Sequence, residues 1–223
     1  MASEKYSSAL RDEQVRLSRG KVLDAARTLF LARGYDGTTI AAIASAARVS
    51  VQTVYNTVGS KAAVLKAVYD VALAGDDEPV AIRDRPAFRA MAAETDSRRF
   101  LARYAALGRE MGERAGPLLA VLLGQTGGGP DVAAWVETIE GERAIGTANA
   151  ARRLAELVPL RGGRTAQEAA DVLWALTAPE MAVRLVYRRG WSWDAYEKWL
   201  GEAMTDALLT CLLYTSPSPR DRS

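Results

Sequence analysis

The sequence predicts an all-α protein in two parts, a small N-terminal unit of short helices and a larger helical body, and three observations lead there. Apolar residues recur at three- and four-residue spacing along most of the chain, no stretch alternates as a half-buried strand does, and no internal repeat is evident. Cap and stop residues divide these periodic stretches into separate segments.

The elements follow in order. Arg16–Arg33 reads as an amphipathic helix carrying Val22, Leu23, Ala26, Leu29 and Phe30 on one face, and Gly34 stops it. Thr38 and Thr39 supply caps for Ile40–Ala47, Ser50 caps Val51–Thr57, and Gly59-Ser60 precedes Lys61–Ala74, whose buried stripe is Val64, Leu65, Val68, Tyr69 and Ala72. Residues 1–15 are expected to be a flexible arm, and the acidic, Pro-containing segment 75–86 a linker. Helices are expected near 97–114, 117–125, 131–158, 165–177, 179–189 and 193–210, with breaks at Gly127–Pro130 and Arg161–Gly163. The division into domains is then 16–74 and 75–210.

Composition excludes whole classes of chemistry. There is no histidine, and the one cysteine is Cys211, which removes the usual zinc sites, the Ser-His-Asp and Cys-His arrangements, and any internal disulfide. No metal, cofactor or catalytic residue is expected, and the chain is read as no enzyme. A paired carboxylate such as Glu137 and Glu140 is the weak rival; Gly127–Gly129 lacks the Lys-Ser/Thr that would make it a phosphate loop. No run is long and apolar enough to span a bilayer and no signal peptide opens the chain, so the expected location is the cytoplasm, away from membranes. Charge is uneven: residues 1–74 hold ten Lys/Arg against six Asp/Glu, and residues 75–210 seventeen against twenty. A basic front end beside an acidic body suits a nucleic-acid partner for the front alone.

The informative block runs from Gly34 to Leu65: Gly34-Tyr35-Asp36-Gly37-Thr38-Thr39-Ile40, Ile43-Ala44, Val49-Ser50-Val51-Gln52-Thr53-Val54-Tyr55-Asn56, then Ser60-Lys61. A helix that reads DNA enters the major groove with its first turns offering hydrogen-bonding groups to base edges. Val51–Thr57 meets that requirement, with Gln52, Thr53, Asn56 and Thr57 outward and Val54 and Val58 as inward anchors. Gln52 and Asn56 are candidates for base-edge contacts because an amide both donates and accepts, and Val51 or Thr57 for contact with a thymine methyl. Thr39, Thr53, Tyr55 and Lys61 are candidates for backbone contacts, which set register and affinity rather than sequence choice. Thr39 and Ser50 also read as plain helix caps, Tyr55 as a core aromatic and Lys61 as a solvated lysine.

This block resembles the TetR family, closely from Val22 to Tyr69 and loosely beyond. The resemblance implies a helix-turn-helix DNA-binding domain, supports phosphate contacts at Thr39, Thr53, Tyr55 and Lys61, and makes Val51–Thr57 the recognition helix. Val51 and Gln52 stand where many members carry a small or polar pair, and Val58 where most carry Phe, so the operator sequence is not transferable. It further implies a homodimer paired through C-terminal helices, a small-molecule effector held by the central ones, and a repressor on a palindromic operator.

In the body, Tyr196, Trp199, Leu200, Ala203, Ala207 and Leu208 form one apolar face and Ala166, Ala169, Ala170, Leu173 and Leu176 another. With Trp191 and Trp193 these exceed what a monomer needs, so Leu173, Trp193, Tyr196, Trp199, Leu200 and Ala203 are candidates for a dimer contact. Trp135, Trp174 and Glu137 are candidates for an effector pocket, against the readings of core tryptophan and solvated carboxylate. Gly108, Gly112 and Gly116 recur every four residues, which points to close helix approach or to a bend. The rival functions are a DNA-binding regulator without effector and a helical interaction module that binds no DNA. Residues Cys211–Asp221 resemble the translation of a transposase adapter used in sequencing libraries, so 211–223 is expected to be artefactual and disordered.

Overall fold

The computed structural model of the chain describes residues 2–124 and 129–210, and among them no strand occurs. The adapter-like segment 211–223 lies outside the described residues. The helices are α1 (Ala2–Arg33), α2 (Ile40–Ala47), α3 (Val51–Thr57), α4 (Lys61–Ala74), α5 (Pro86–Ala92), α6 (Ser97–Gly124), α7 (Pro130–Leu157), α8 (Ala166–Leu176), α9 (Pro179–Ala182) and α10 (Trp193–Leu208). A π-helical stretch, Val183–Arg188, continues α9. No helix among the described residues is long and apolar enough to cross a membrane.

Three of these differ from the sequence reading for identifiable reasons. Helix α1 begins at Ala2, so it includes residues assigned to a flexible arm; the segment 2–19 contains neither Pro nor Gly to interrupt it. Pro86, the last residue of the stretch read as a linker, opens α5 over residues expected to carry no helix, at the first helical position, where proline is tolerated. The two helices expected at 97–114 and 117–125 are one, with Pro117 inside α6. An internal proline forfeits one backbone bond and crowds the carbonyl of Glu113, a cost of about 3 kcal/mol. Burial of Ala115, Leu118 and Leu119 around it offsets that cost.

Packing divides the chain into two compact units, one of Met1–Ile82, Glu110–Gly141 and Pro179–Gly190, the other of Arg83–Arg109, Glu142–Ala178 and Trp191–Ser223. The first boundary falls at Ile82, within the stretch read as a linker, and two others fall inside α6 and α7. A helix of 28 residues is about 42 Å long, more than one small core can cover.

In the first unit, Val22, Ala26 and Phe30 of α1, Ile43 of α2, Val54 of α3 and Val64 and Leu65 of α4 are inaccessible to solvent. Leu118, Val132, Trp135, Ile139 and Val183 join the same apolar cluster, so α2 and α3 rest on a base wider than three short helices could build. In the second unit α8 packs on α10, and Phe100, Leu101, Leu154, Leu173, Leu200, Met204 and Leu208 are fully buried. Helix α8 starts with a reciprocal cap between Thr165 and Glu168, which satisfies two otherwise orphaned donors. At Gly108 an added Cβ would stand 3.2 Å from Leu200 Cδ2, and at Gly116 3.0 Å from the Tyr187 ring. Close approach, the first of the two sequence explanations for the glycine spacing, accounts for both positions.

Candidate nucleic-acid interface

Each short helix of the head begins with a side chain that accepts a bond from a free backbone N–H. Thr39 accepts from Ala42, Ser50 from Thr53 and Ser60 from Ala63. These caps matter because helices of seven or eight residues are marginal on propensity alone. Thr38, read with Thr39 as a cap, instead braces the turn before α2, since it is fully buried and its hydroxyl donates to the carbonyl of Gly34 at 2.8 Å. Between α2 and α3 the chain turns through Arg48, at φ 57° and ψ 42°, while N–H groups of Arg48 and Val49 close the end of α2 onto Ser45 and Ala44.

The residues of α3 are sorted by face. Val54 is wholly buried and anchors the helix, and Val58, expected as a second anchor, is half-buried at its end. Val51 and Tyr55 are 43% and 51% exposed, and Gln52 and Asn56 are exposed beside them. Tyr55 is therefore no core aromatic. Gln52 Nε2 donates to Asn56 Oδ1 at 2.8 Å, so the two amides expected to read base edges stand together one turn apart. Thr53 and Thr57 are half-buried; Thr53 shares a 2.8 Å hydroxyl bond with Ser50, and Thr57 donates to the Thr53 carbonyl. Six of the nine expected contact residues, Thr39, Ser50, Val51, Gln52, Tyr55 and Asn56, are exposed.

Lys61 differs from the plain reading of a solvated lysine. Its ammonium donates to the carbonyls of Tyr35 at 3.0 Å and Thr38 at 3.1 Å, and lies 4.1 Å from the centre of the Tyr35 ring. Two of its three donors thus fasten the start of α4 to the turn ahead of α2. The Tyr35 hydroxyl in turn donates to Asp131 Oδ2, at 2.8 Å, in the first turn of α7. Burial, with Asp131 beside it, holds the Tyr35 phenol well above its ordinary pKa.

Two arginines complete the frame. Arg19 of α1 forms a bidentate pair with Asp77, at 2.8 and 3.2 Å, and reaches the carbonyl of Thr57 at the end of α3. Arg114 of α6 donates to the carbonyls of Ala72 and Leu73, closing the last turn of α4 beside Gly75 at φ 94°. Sequence reasoning missed Tyr35, Arg19 and Arg114, since their partners lie 96, 58 and about 40 residues away in the chain. Arg48 did leave a signal, because Ala46-Ala47-Arg48-Val49 offers a tight turn no glycine or asparagine for its positive-φ position.

The candidates of the body are dispersed. Trp135 is buried in the first unit, edge-on to Tyr69 at 5.4 Å, and its indole N–H meets no acceptor among the described residues. Glu137 is exposed in that unit, whereas Trp174, 40% exposed, belongs to the second, where Arg143 lies over its ring at 5.2 Å. A groove of about 520 Å³ in the second unit is lined by other residues, among them Arg98, Arg109, Asp194, Glu197, Lys198 and Glu202. Of the expected dimer residues, Leu173, Tyr196 and Leu200 are buried within the chain itself, because α8 and α10 turn these faces toward their own core. Trp193, Trp199 and Ala203 keep partly open surface.

Residues 22–68 match the family described as bacterial regulatory proteins, tetR family. Among the curated proteins none matches the sequence. Solved structures that share the fold include NalD, the secondary repressor of the MexAB-OprM multidrug efflux pump in Pseudomonas aeruginosa, 23% identical with a TM-score of 0.67 over 86% of this chain and 96% of that one. The fatty acid degradation regulator FadR from Bacillus halodurans is 15% identical, with a TM-score of 0.65 over 83% and 93%. A transcriptional regulator from Saccharomonospora viridis in complex with choline is 18% identical, with a TM-score of 0.60 over 86% and 98%.

Proposed function

With a TetR-type helix-turn-helix head as the premise, we propose that this chain is a DNA-binding transcription regulator, a repressor that grips a palindromic operator as a homodimer and lets go when a small molecule binds its body. One observation carries the reading: α3 buries Val54 and leaves Val51, Gln52, Tyr55 and Asn56 uncovered on one edge. An edge of amides, a phenol and a branched aliphatic has the chemistry of base and phosphate contact. The chain contains no histidine to serve a hydrolytic reading of that surface.

Release by an effector is supported by how α4 is held. Its first residue, Lys61, is fixed through Tyr35 to Asp131 of α7, its last carbonyls are fixed by Arg114 of α6, and between them Tyr69 touches Trp135. A ligand that favours one placement of α6 and α7 therefore acts on α4 at three points, and α4 packs on α1, against which α3 rests. Operator half-sites lie about 34–36 Å apart, so a shift of a few ångströms spoils simultaneous docking, and a coupling of about 1–3 kcal/mol suffices. The buried N–H of Trp135 suits a ligand bearing a hydrogen-bond acceptor. The similar folds of a repressor and of a regulator holding choline favour the same reading.

The test is the binding of the full chain to a site recovered from random duplex DNA, titrated from low to high salt. The expected result is a steep negative slope of log affinity on log salt, with about 0.9 for each phosphate contacted, and a site of two-fold symmetry. A flat slope, or no site recovered, overturns the DNA reading; a steep slope on an asymmetric single half-site overturns the dimer.

A further inference from the structure

We infer that Arg48, on the turn between α2 and α3, is a contact to the DNA phosphate backbone, and that the protein holds an unfavourable backbone conformation there in order to present it. The inference rests on the DNA-binding reading above and adds a residue to it. Among the described residues Arg48 is the one non-glycine at positive φ, at 57°; Gly34, Gly59, Gly75, Gly162, Gly163 and Gly190 occupy the others. The left-handed region disfavours any residue with a Cβ, and glycine or asparagine closes such a helix end at less cost. The closing bonds of this turn are made by the backbone N–H groups of Arg48 and Val49 and need no side chain at all.

Nothing in the fold repays the arginine. Its side chain is exposed and forms no hydrogen bond or ion pair with a described residue. The charge around it is one-sided. Between Asp36 and Asp70 the sequence has no carboxylate and three cations, Arg48, Lys61 and Lys66. Lys66 pairs with Asp70, and Lys61 is turned inward onto two carbonyls, which leaves Arg48 as the cation of this block held by neither. It stands two residues ahead of Ser50, the cap of α3, and is exposed as that cap and the first residues of α3 are. A planar guanidinium with five donors, free of internal partners and next to a base-reading edge, is suited to bidentate recognition of a phosphate.

Arg48→Gly separates this role from a structural one, since it relaxes the turn while deleting the charge. The variant is expected to keep a thermal midpoint within about 3 °C of the parent, because relief of the left-handed strain and the greater freedom of glycine in the unfolded chain act in opposite directions. On the selected duplex its affinity is expected to fall about tenfold at about 0.15 M salt, equally on matched and base-substituted sites, with a salt slope shallower by about one. Arg48→Lys, keeping the charge, should restore the slope and part of the affinity. Parental slope and affinity in Arg48→Gly, or a loss confined to one base position, would overturn the assignment while leaving DNA binding intact. A flat slope in the parent protein would instead remove the DNA reading and this contact with it.

Discussion

Helix α3 is entered and left through two turns that solve the same problem with opposite residues. Before it, Arg48 bends the chain at φ 57°; after it, Gly59 bends the chain at φ 120°. At Gly59 an added Cβ would stand 3.2 Å from Ala63 Cβ at the start of α4, in a backbone region almost closed to other residues. There the turn serves the backbone alone. At Arg48 the backbone would be served equally well by glycine, and what the arginine adds is a side chain over open surface. Positive φ is thus informative according to the residue that occupies it.

Three substitutions strain or sharpen that contrast, from the largest expected effect downward. Gly59→Ala should destabilise the full chain by about 3 kcal/mol in urea unfolding, through strain and crowding together, whereas Arg48→Gly leaves stability near the parent. Equal stabilities for the two variants would erase the difference between the turns. Lys61→Met keeps the aliphatic stem over the Tyr35 ring but strands the carbonyls of Tyr35 and Thr38, at an expected cost of about 2 kcal/mol. Its effect on the DNA salt slope should be smaller than that of Arg48→Gly. The reverse order would show that the third donor of Lys61 outweighs Arg48 as the phosphate contact. Tyr35→Phe removes the bond to Asp131 and nothing else from the core, so a loss of about 1 kcal/mol is expected, seen as a shifted midpoint at constant m-value. A loss no larger than experimental scatter would mean that the hydroxyl link carries no free energy between α1–α2 and α7.

The three short helices after α1 were legible in the sequence to the residue. Helices α2, α3 and α4 fall at Ile40–Ala47, Val51–Thr57 and Lys61–Ala74, where the caps Thr39, Ser50 and Ser60 place their starts and Gly59 and Gly75 mark the ends of α3 and α4. Local chemistry is sufficient there because each short helix depends on its own cap. What escaped the sequence depended on distant partners. Nothing near Tyr35 announces Asp131, and nothing in the charge of Lys61 tells that its donors turn inward onto carbonyls. Pro117 misled for a related reason: its local penalty is real, and the burial that offsets it is tertiary. The stripes of α8 and α10 signalled burial correctly but not by what, and Leu173, Tyr196 and Leu200 turn out to be covered by their own chain.

The bond between Gln52 and Asn56 has a consequence for selectivity. For a protein that docks through this edge, the two amides give up a clasp worth about 0.2–0.5 kcal/mol to bond a nucleobase. A mismatched base leaves the clasp closed, not a pair of stranded dipoles, so the penalty for error is softened to the loss of the correct contact itself. On the proposed reading such an edge tolerates degenerate sites, and discrimination between them falls to the fit of a homodimer on two half-sites at once.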